Sequence, residues 1–452
     1  MFKKVLVANR GEIACRVIRG CRELGVESVA VYSQADKDSL HVRIADHAIC
    51  VGAGSNSDSY LNLANVLMAA EISGAEAVHP GYGYFSERAS FAEALESLGV
   101  KFIGPPVKAI EAMGDKARAK EAAIAAGCPV VPGSNGPVFT DLDALHEAEK
   151  IGYPVLLKAV AGGGGRGIRR VDEPEQLPQA FKTAQAEAQA SFGSGELLME
   201  KCVIEPRHIE IQIIGDSHGN MIYLGERECS VQNPRHQKLI EEAPFADLPA
   251  DIRKQMGESA VKVAWSVGYQ NAGTVEFLLD ADGKFYFLEM NTRLQVEHPV
   301  TEEVVGLDLM HLMLRIASGE SLGIKQEEVR YRGHAIEARI TAQDPDKDFA
   351  PSTGLIDDWR APGGHGVRID THCYAGFSVS PYYDPLLAKL IVSGKTRPEA
   401  VKRLQSALCE FAVGGIQTNI PFMRRLVAHP DYISGNLNTA FVPKFLIEGA
   451  NA

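Results

Sequence analysis

VLVANRGEIACRVIRGCRELGVESVAVY, residues 5–32, sets a helical pattern between two short apolar runs. Val5-Leu-Val-Ala8 has the length and composition of a buried strand, and Ser28 to Tyr32 repeats it. Between them, Glu12 to Leu24 carries apolar residues at helical spacing and stops at Gly25, a residue suited to the left-handed position after a helix. Strand, helix, strand in this order is βαβ wiring, so the chain opens on a parallel α/β sheet. Runs at Ala75 to His79 and Lys101 to Ile103 continue the rhythm. The first turn, Asn9-Arg10-Gly11-Glu12, has one glycine where a dinucleotide fingerprint needs three. A Rossmann-like sheet is therefore expected without its usual ligand, even though Asp36 lies at a suitable distance downstream.

A chain of 452 residues outgrows a single hydrophobic core, and two to four domains or subdomains are expected. Hydrophobic residues at 45% and charged residues at 23% are the proportions of a folded soluble protein. Acidic residues outnumber basic ones by 58 to 46, which argues against general affinity for nucleic acid or an anionic membrane. No apolar run approaches the roughly 20 residues of a membrane span, and MFKKVLVANRGE lacks the apolar core of a secretory signal. Eight cysteines are scattered without a Cys-x-x-Cys pair, so reduced thiols and a cytoplasmic location are expected.

A second region begins near Met113-Gly-Asp-Lys116, and from about Val131 to Lys201 the pattern is that of a small α+β unit. Within it KAVAGGGGRGIRR, residues 158–170, sets Gly162 to Gly165 and Gly167 between two strand-like runs. No helix follows the Gly162-x-Gly164-x-x-Gly167 match, and Ile168 and Arg169 stand where a P-loop needs Lys and Ser or Thr. Read locally, the loop is either a backbone cradle for anionic oxygen or a mobile hairpin tip, since glycine permits both. Lys158 precedes it in an apolar strand, where an ammonium group is costly unless it meets an anion or its head reaches water.

The richest chemistry lies in GTVEFLLDADGKFYFLEMNTRLQVEH, residues 273–298. Asp280 to Gly283 supplies a turn, so the flanking runs form a hairpin. With Asp280 opposite Gly283, Glu276 is expected opposite Phe287 and diagonal to Glu289, on one face. Glu289, Asn291, Arg293, Gln295 and Glu297 fall on every second residue, and a continued extended chain would project all five to one side. A solvated edge strand shows the same alternation. Here, though, the polar side mixes acids, an amide and a cation in a non-repeating order. Oxygen ligands from Glu276, Glu289 and Asn291 suit Mg²⁺ or Mn²⁺, which commonly bridge nucleotide phosphates. Arg293 and Gln295 would hold a small planar anion, with Glu297 placed as a base.

Six segments follow one another along residues 2 to about 445: Asn9-Arg-Gly-Glu-Ile-Ala14, His79-Pro-Gly-Tyr-Gly83, Met113-Gly-Asp-Lys116, the glycine loop, His236-Gln-Lys238 with Glu241-Glu-Ala-Pro244, and Glu289-Met-Asn-Thr-Arg-Leu-Gln-Val-Glu-His-Pro299. In this order and spacing they resemble the biotin carboxylase family of the ATP-grasp superfamily. The resemblance implies an α/β protein with an N-terminal Rossmann-like sheet domain over residues 1–113. An ATP-grasp core over 114–330 would follow, with a hinged α+β lid at about 131–203, and then a mixed α+β domain over 331–447. The implied reaction is ATP, bicarbonate and biotin giving ADP, phosphate and N-carboxybiotin, by way of carboxyphosphate, with two metal ions. A different ATP-grasp ligase, or a nucleotide-binding scaffold without catalysis, would share much of this pattern.

The resemblance also assigns residues. Lys116, Lys158, Gly163, Gly164, Gly165, His208 and His236 would meet the nucleotide's phosphates or sugar. Glu200, Lys201 and Val203 would border the adenine, and Leu278 would also contact ATP. Glu276, Glu289 and Asn291 match the metal positions; Lys238, Arg293, Gln295 and Val296 match the bicarbonate pocket. Glu297 matches the base and Arg339 the residue facing the biotin ureido oxygen, with Tyr82 and Gly83 in the loop beside biotin. Three departures stand out: Ala161 for a glycine, an extra residue within Gln232-Asn-Pro-Arg-His236, and Arg88 for an asparagine. No Met-Lys-Met segment of the biotin-bearing kind occurs in these residues, and the carboxyltransferase is expected on a separate chain. The expected partners are a separate biotin carboxyl carrier protein, carboxyltransferase subunits and a second copy of this chain. The parent enzyme is expected to be acetyl-CoA carboxylase, with another acyl-CoA or pyruvate as the alternative acceptor.

Overall fold

The computed structural model describes residues 1–134, 136–160 and 167–450. The opening pattern folds as it reads. Strand β1 (Lys4–Val7), helix α1 (Gly11–Glu23) and strand β2 (Glu27–Ser33) lead to β3 (His47–Gly52), β4 (Ala77–His79) and β5 (Lys101–Phe102). All neighbours pair in parallel, in the order β3-β2-β1-β4-β5. Asp36 accepts from Nε of Arg10 at 2.5 Å and from the Tyr60 hydroxyl at 2.7 Å, so the acid downstream of the first turn is spent inside the fold.

Strands β6 (Val155–Ala159), β7 (Ile168–Val171) and β8 (Leu197–Lys201) form a separate antiparallel sheet, in the order β7-β6-β8. Helices Asp141–Ile151 and Leu177–Phe192 cover it, and their buried faces share one core with it, from Val138 to Met199. This matches the small α+β unit expected from about Val131 to Lys201. Lys158 pairs with Ile168 across β6 and β7, so the glycine loop joins two strands of a hairpin. Gly163, Gly164 and Gly165, with Ala161, lie outside the described residues.

The largest element is an eight-stranded antiparallel sheet. It comprises β9 (Arg207–Gly215), β10 (Met221–Gln232), β11 (Lys238–Ala243), β12 (Asn271–Leu279), β13 (Phe285–Asn291), β14 (His334–Thr341) and strands Val367–Thr371 and Leu386–Gly394. Its order is β13-β12-β9-β10-β11-β14, then Leu386–Gly394 and Val367–Thr371. Strand β14, after residue 330, pairs with β11, before it, so one sheet takes strands from both sides of the expected boundary. A core of Val5, Val7, Ile13, Ile214, Leu224, Leu294 and Met310 ties the parallel sheet to the large one. Among the described residues no helix is long and apolar enough to cross a membrane.

Candidate active site

Register lays out the polar face of the large sheet. Alternation in His208-Ile-Glu-Ile-Gln-Ile213 sends Ile209, Ile211 and Ile213 into the core and His208, Glu210 and Gln212 to the other side. Glu210 pairs with Arg227 of β10 and Glu276 of β12, and Glu276 pairs with Glu289 of β13, so these four form one row. Gln212, Thr274 and Asn291 form the next. Glu276 thus stands opposite Glu289 rather than Phe287: the turn sets Asp280 against Lys284 rather than Gly283, and an irregularity between Glu276 and Phe277 adds a second one-residue shift. Burial, then the charge of Glu276, pushes the Glu289 carboxyl up, while Lys116 opposes the shift.

Cations hold this acidic row together. Lys238, at the start of β11, donates to Glu297 Oε1 at 2.6 Å and to Glu210, and lies 3.5 Å from Glu276. His208 Nε2 is 2.8 Å from Glu276. The guanidinium of Arg227, fully buried, reaches Glu210, Gln212 at 2.7 Å, Thr274 at 3.0 Å, Thr301 at 3.0 Å and Gln295 at 2.6 Å. Gln295 and Asn291 each donate to Glu276 Oε1 at 2.6 Å. Burial works against the charge of Glu276, but Lys238 and His208 outweigh it and hold the carboxyl well below its usual range. Glu297 is held down in the same way by Lys238 and Arg339, whereas burial and the charge of Glu297 push Glu210 up to about 7.

The extended chain ends at Asn291, so the expected one-sided strand to Glu297 does not persist. Residues 292–297 form bends and a turn that lead into helix His298–Val305. Leu294 fills the core and Gln295 and Glu297 are still delivered, buried, to the polar side. Arg339 of β14 closes the far end of the site. It donates to Glu241 Oε1 through Nε at 2.6 Å and to Glu297 Oε2 through Nη2 at 3.0 Å. Arg293 donates to Glu87 at 2.9 Å and to Asn291 at 3.1 Å, which brings the loop after β4 to the site. Tyr82, in that loop, donates its hydroxyl to Glu12, and the neighbouring Gly83 is exposed with φ of 69°.

Other expected positions lie away from the acidic row. Lys158 is met by a carboxylate of its own fold: Glu200 lies 2.5 Å from it and 3.0 Å from Lys120. Lys201 turns its ammonium to the carbonyls of Gly152 and Tyr153, at 2.9 and 2.7 Å. Val203 follows β8 half-buried, and Leu278 pairs with His208 across β12 and β9. Lys116 is exposed at the start of helix Lys116–Ala125. His236 is exposed with φ of 61°, on the turn that carries Pro234, while its neighbour Arg235 pairs with Asp348.

Four contributors carry no role in the sequence reading: Glu210, Arg227, Glu241 and Glu87. The alternation His208-x-Glu210-x-Gln212 exposes Glu210 to the argument applied at Glu289. Arg227 is flagged only by its placement in a strand that turns out to be buried on both faces.

A row of acids laced by Lys238, with Arg339 on Glu241 and Glu297 beside it and an ion pair between Lys158 and Glu200 on a separate three-stranded unit, is the arrangement of an ATP-grasp ligase. Comparison with known proteins narrows the class. Residues 1–110 match the family model "Biotin carboxylase, N-terminal domain", residues 115–325 match "Carbamoyl-phosphate synthase L chain, ATP binding domain", and residues 337–444 match "Biotin carboxylase C-terminal domain". The biotin carboxylase of Nostoc sp. is 52% identical over 441 residues, 98% of each chain. A pyruvate carboxylase subunit of Methanothermobacter thermautotrophicus is 49% identical, covering 98% of this chain and 90% of that one. The crystal structure of the biotin carboxylase domain dimer of Hydrogenobacter thermophilus 2-oxoglutarate carboxylase, with MgADP, ADP and bicarbonate, superposes with a TM-score of 0.92 at 48% identity over 98% of both chains. The chain belongs to the biotin carboxylase family and is an enzyme of that family.

Proposed function

We propose that this chain carboxylates biotin held on a separate carrier protein, using ATP and bicarbonate, with Glu297 as the base. One observation carries the assignment: the two oxygens of Glu297 are held from opposite sides, Oε1 by Lys238 and Oε2 by Arg339. A carboxylate kept ionised between two cations accepts a proton while those cations receive the negative charge that develops beside it. Bicarbonate enters against Arg293, Gln295, Val296 and Lys238. Glu297 removes its proton as the oxygen attacks the γ-phosphorus of ATP, giving ADP and carboxyphosphate. Carboxyphosphate breaks down to CO₂ and phosphate within the closed site; the phosphate takes the ureido N–H proton of biotin, Arg339 stabilises the resulting oxyanion beside Tyr82 and Gly83, and the ureido nitrogen attacks CO₂ to form the C–N bond of N-carboxybiotin.

Lys116, Lys158, His208, His236 and Gly163 to Gly165 are assigned to the nucleotide's phosphates and sugar, and Glu200, Lys201 and Val203 to its base, with Leu278 as a further contact to ATP. The opposed pair Glu276 and Glu289, with the second carboxyl pushed up by burial and then by the charge of the first, is an oxygen donor set that fits Mg²⁺ or Mn²⁺. Glu276, Glu289 and Asn291 would hold the ions, two of them, and the metal charge would offset that of the phosphoryl oxygens. The domains are assigned as 1–113, 114–330 with the lid at about 131–203, and 331–447. The protein is read as a cytoplasmic homodimer that works with a biotin carboxyl carrier and carboxyltransferase subunits of acetyl-CoA carboxylase. The likeness to a pyruvate carboxylase subunit keeps pyruvate as the second candidate acceptor.

ADP release that requires both free biotin and bicarbonate is the expected result. Turnover with another acceptor and none with biotin would refute the assignment. Capture of the partner subunits from the source cells, followed by assay with acetyl-CoA and with pyruvate, decides the parent enzyme.

A further inference from the structure

Lys389 stands in the apolar run Leu386-Leu-Ala-Lys-Leu-Ile-Val392 and is fully buried. A buried ammonium group costs several kcal/mol unless anions and hydrogen-bond acceptors surround it. Three groups meet this one. Nζ lies 3.1 Å from Glu12 Oε2 and 4.0 Å from Asp370 Oδ2, and donates to the Val296 carbonyl at 3.0 Å. Glu12 belongs to α1 of the N-terminal sheet domain, Asp370 to the neighbouring strand, and Val296 to the turn that presents Glu297.

Register adds a second relation. Lys389 pairs with Arg339 across its strand and β14, so the two cations stand side by side on one face. Arg339 holds the carboxylate of Glu297, and Lys389 holds the main chain one residue before it. Glu12, the counter-charge of Lys389, also accepts the hydroxyl of Tyr82. One ammonium group therefore connects the Val296-Glu297 turn to the loop of Tyr82. The geometry calls for a group with several donors, which an ammonium provides and a hydroxyl does not.

We propose that Lys389 is a positioning residue: it sets the main chain at Val296 so that the Glu297 carboxylate meets its substrate, and through Glu12 it fixes Tyr82. The proposal rests on the reading of Glu297 as the base. A plainer role, an ion pair that docks α1 against the large sheet, predicts a loss of stability but no separate loss of turnover. The two are distinguished by Lys389→Met, alone and combined with Glu12→Gln. The second change removes the nearest of the buried carboxylates that face Lys389, Glu337 and Asp370 being the others, and its amide oxygen still accepts the Tyr82 hydroxyl.

In Lys389→Met, the kcat for biotin- and bicarbonate-dependent ADP release should fall about 10- to 100-fold, the loss expected from a misplacement on the order of 1 Å. The Kd for MgADP should stay unchanged. Adding Glu12→Gln should raise the melting temperature toward that of the wild type without restoring kcat. Wild-type kcat in Lys389→Met would overturn the proposal, and so would a kcat that recovers in step with melting temperature in the double variant. Should Lys389→Met fail to fold, the double variant decides by the same comparison. A wild type without the activity would instead sink the reading of Glu297, an outcome separate from an active wild type matched by Lys389→Met.

Discussion

Replacing Glu289 by glutamine should make the metal-free protein more stable and the metal-nucleotide complex weaker. Glu276 and Glu289 face each other across β12 and β13, where opposed side chains leave the backbone about 5 Å apart. Two charges at that distance repel by about 3 kcal/mol at an effective dielectric near 20. Lys238 and His208 offset part of this, but both are already engaged with Glu276. Roughly half, about 1–2 kcal/mol, should therefore be relieved in Glu289→Gln. A gain of that size raises the melting midpoint by about 2–8 °C in a domain of 150–250 residues. The assay is thermal melting in EDTA and again in saturating MgADP. Ligand at about 100 times its Kd adds about 2.7 kcal/mol to the wild type, and a variant that binds tenfold more weakly gains about 1.4 kcal/mol less. The order of melting temperatures should thus narrow or reverse when MgADP is added. A Glu289→Gln protein that melts below the wild type in EDTA, or gains as much from MgADP, would refute the assignment of this pair to a cation.

Glu297→Gln should lower kcat for ADP release by about 10²- to 10⁴-fold, the range for loss of a general base, with MgADP affinity retained on titration calorimetry. Arg339→Met should cost about 10²-fold or more in biotin-dependent turnover, as expected for removal of an oxyanion donor, and biotin concentration should not rescue it in steady-state kinetics. Glu242 gives a prediction in acid. Burial would raise its carboxyl, but hydrogen bonds from His334 and Arg397 outweigh burial and hold it at about 2, below the ordinary 4.5. A depressed carboxyl stabilises the fold above about pH 4.5 and loses that contribution as pH falls toward 2, up to about 3 kcal/mol. Urea midpoints across this window should fall steeply in the wild type and less so in Arg397→Met, and equal slopes would count against the ion pair.

The parallel sheet and the three-stranded unit are legible because their signals are local: apolar runs of strand length, helical spacing and a glycine stop within about 30 residues. Alternation likewise reveals which face a side chain takes. It does not reveal what lies opposite, since one irregularity between Glu276 and Phe277 moves every pairing beyond it. Lys158 shows the same limit. Its place in an apolar strand calls for an anion or an outlet to water, and nothing in the local sequence says that Glu200, 42 positions away, already supplies the anion.

That contact also bears on how the nucleotide would enter. With Lys158 held by Glu200 at 2.5 Å, a phosphate must draw the ammonium from an existing partner, or join a cluster in which Lys120 is the second cation. Burial would raise the Glu200 carboxyl, yet Lys158 and Lys120 outweigh it and keep it ionised, so the competition persists at neutral pH. Glu200→Gln would remove the competing charge, freeing Lys158 for phosphate and strengthening MgADP binding, whereas Lys158→Met would weaken it by removing a cation. An amide can keep the contact to the base assigned to Glu200; if that contact instead needs the negative charge, both variants weaken binding. Titration calorimetry of the pair separates the two: opposite shifts in Kd support Glu200 as the group that holds Lys158 in reserve, and parallel shifts refute it.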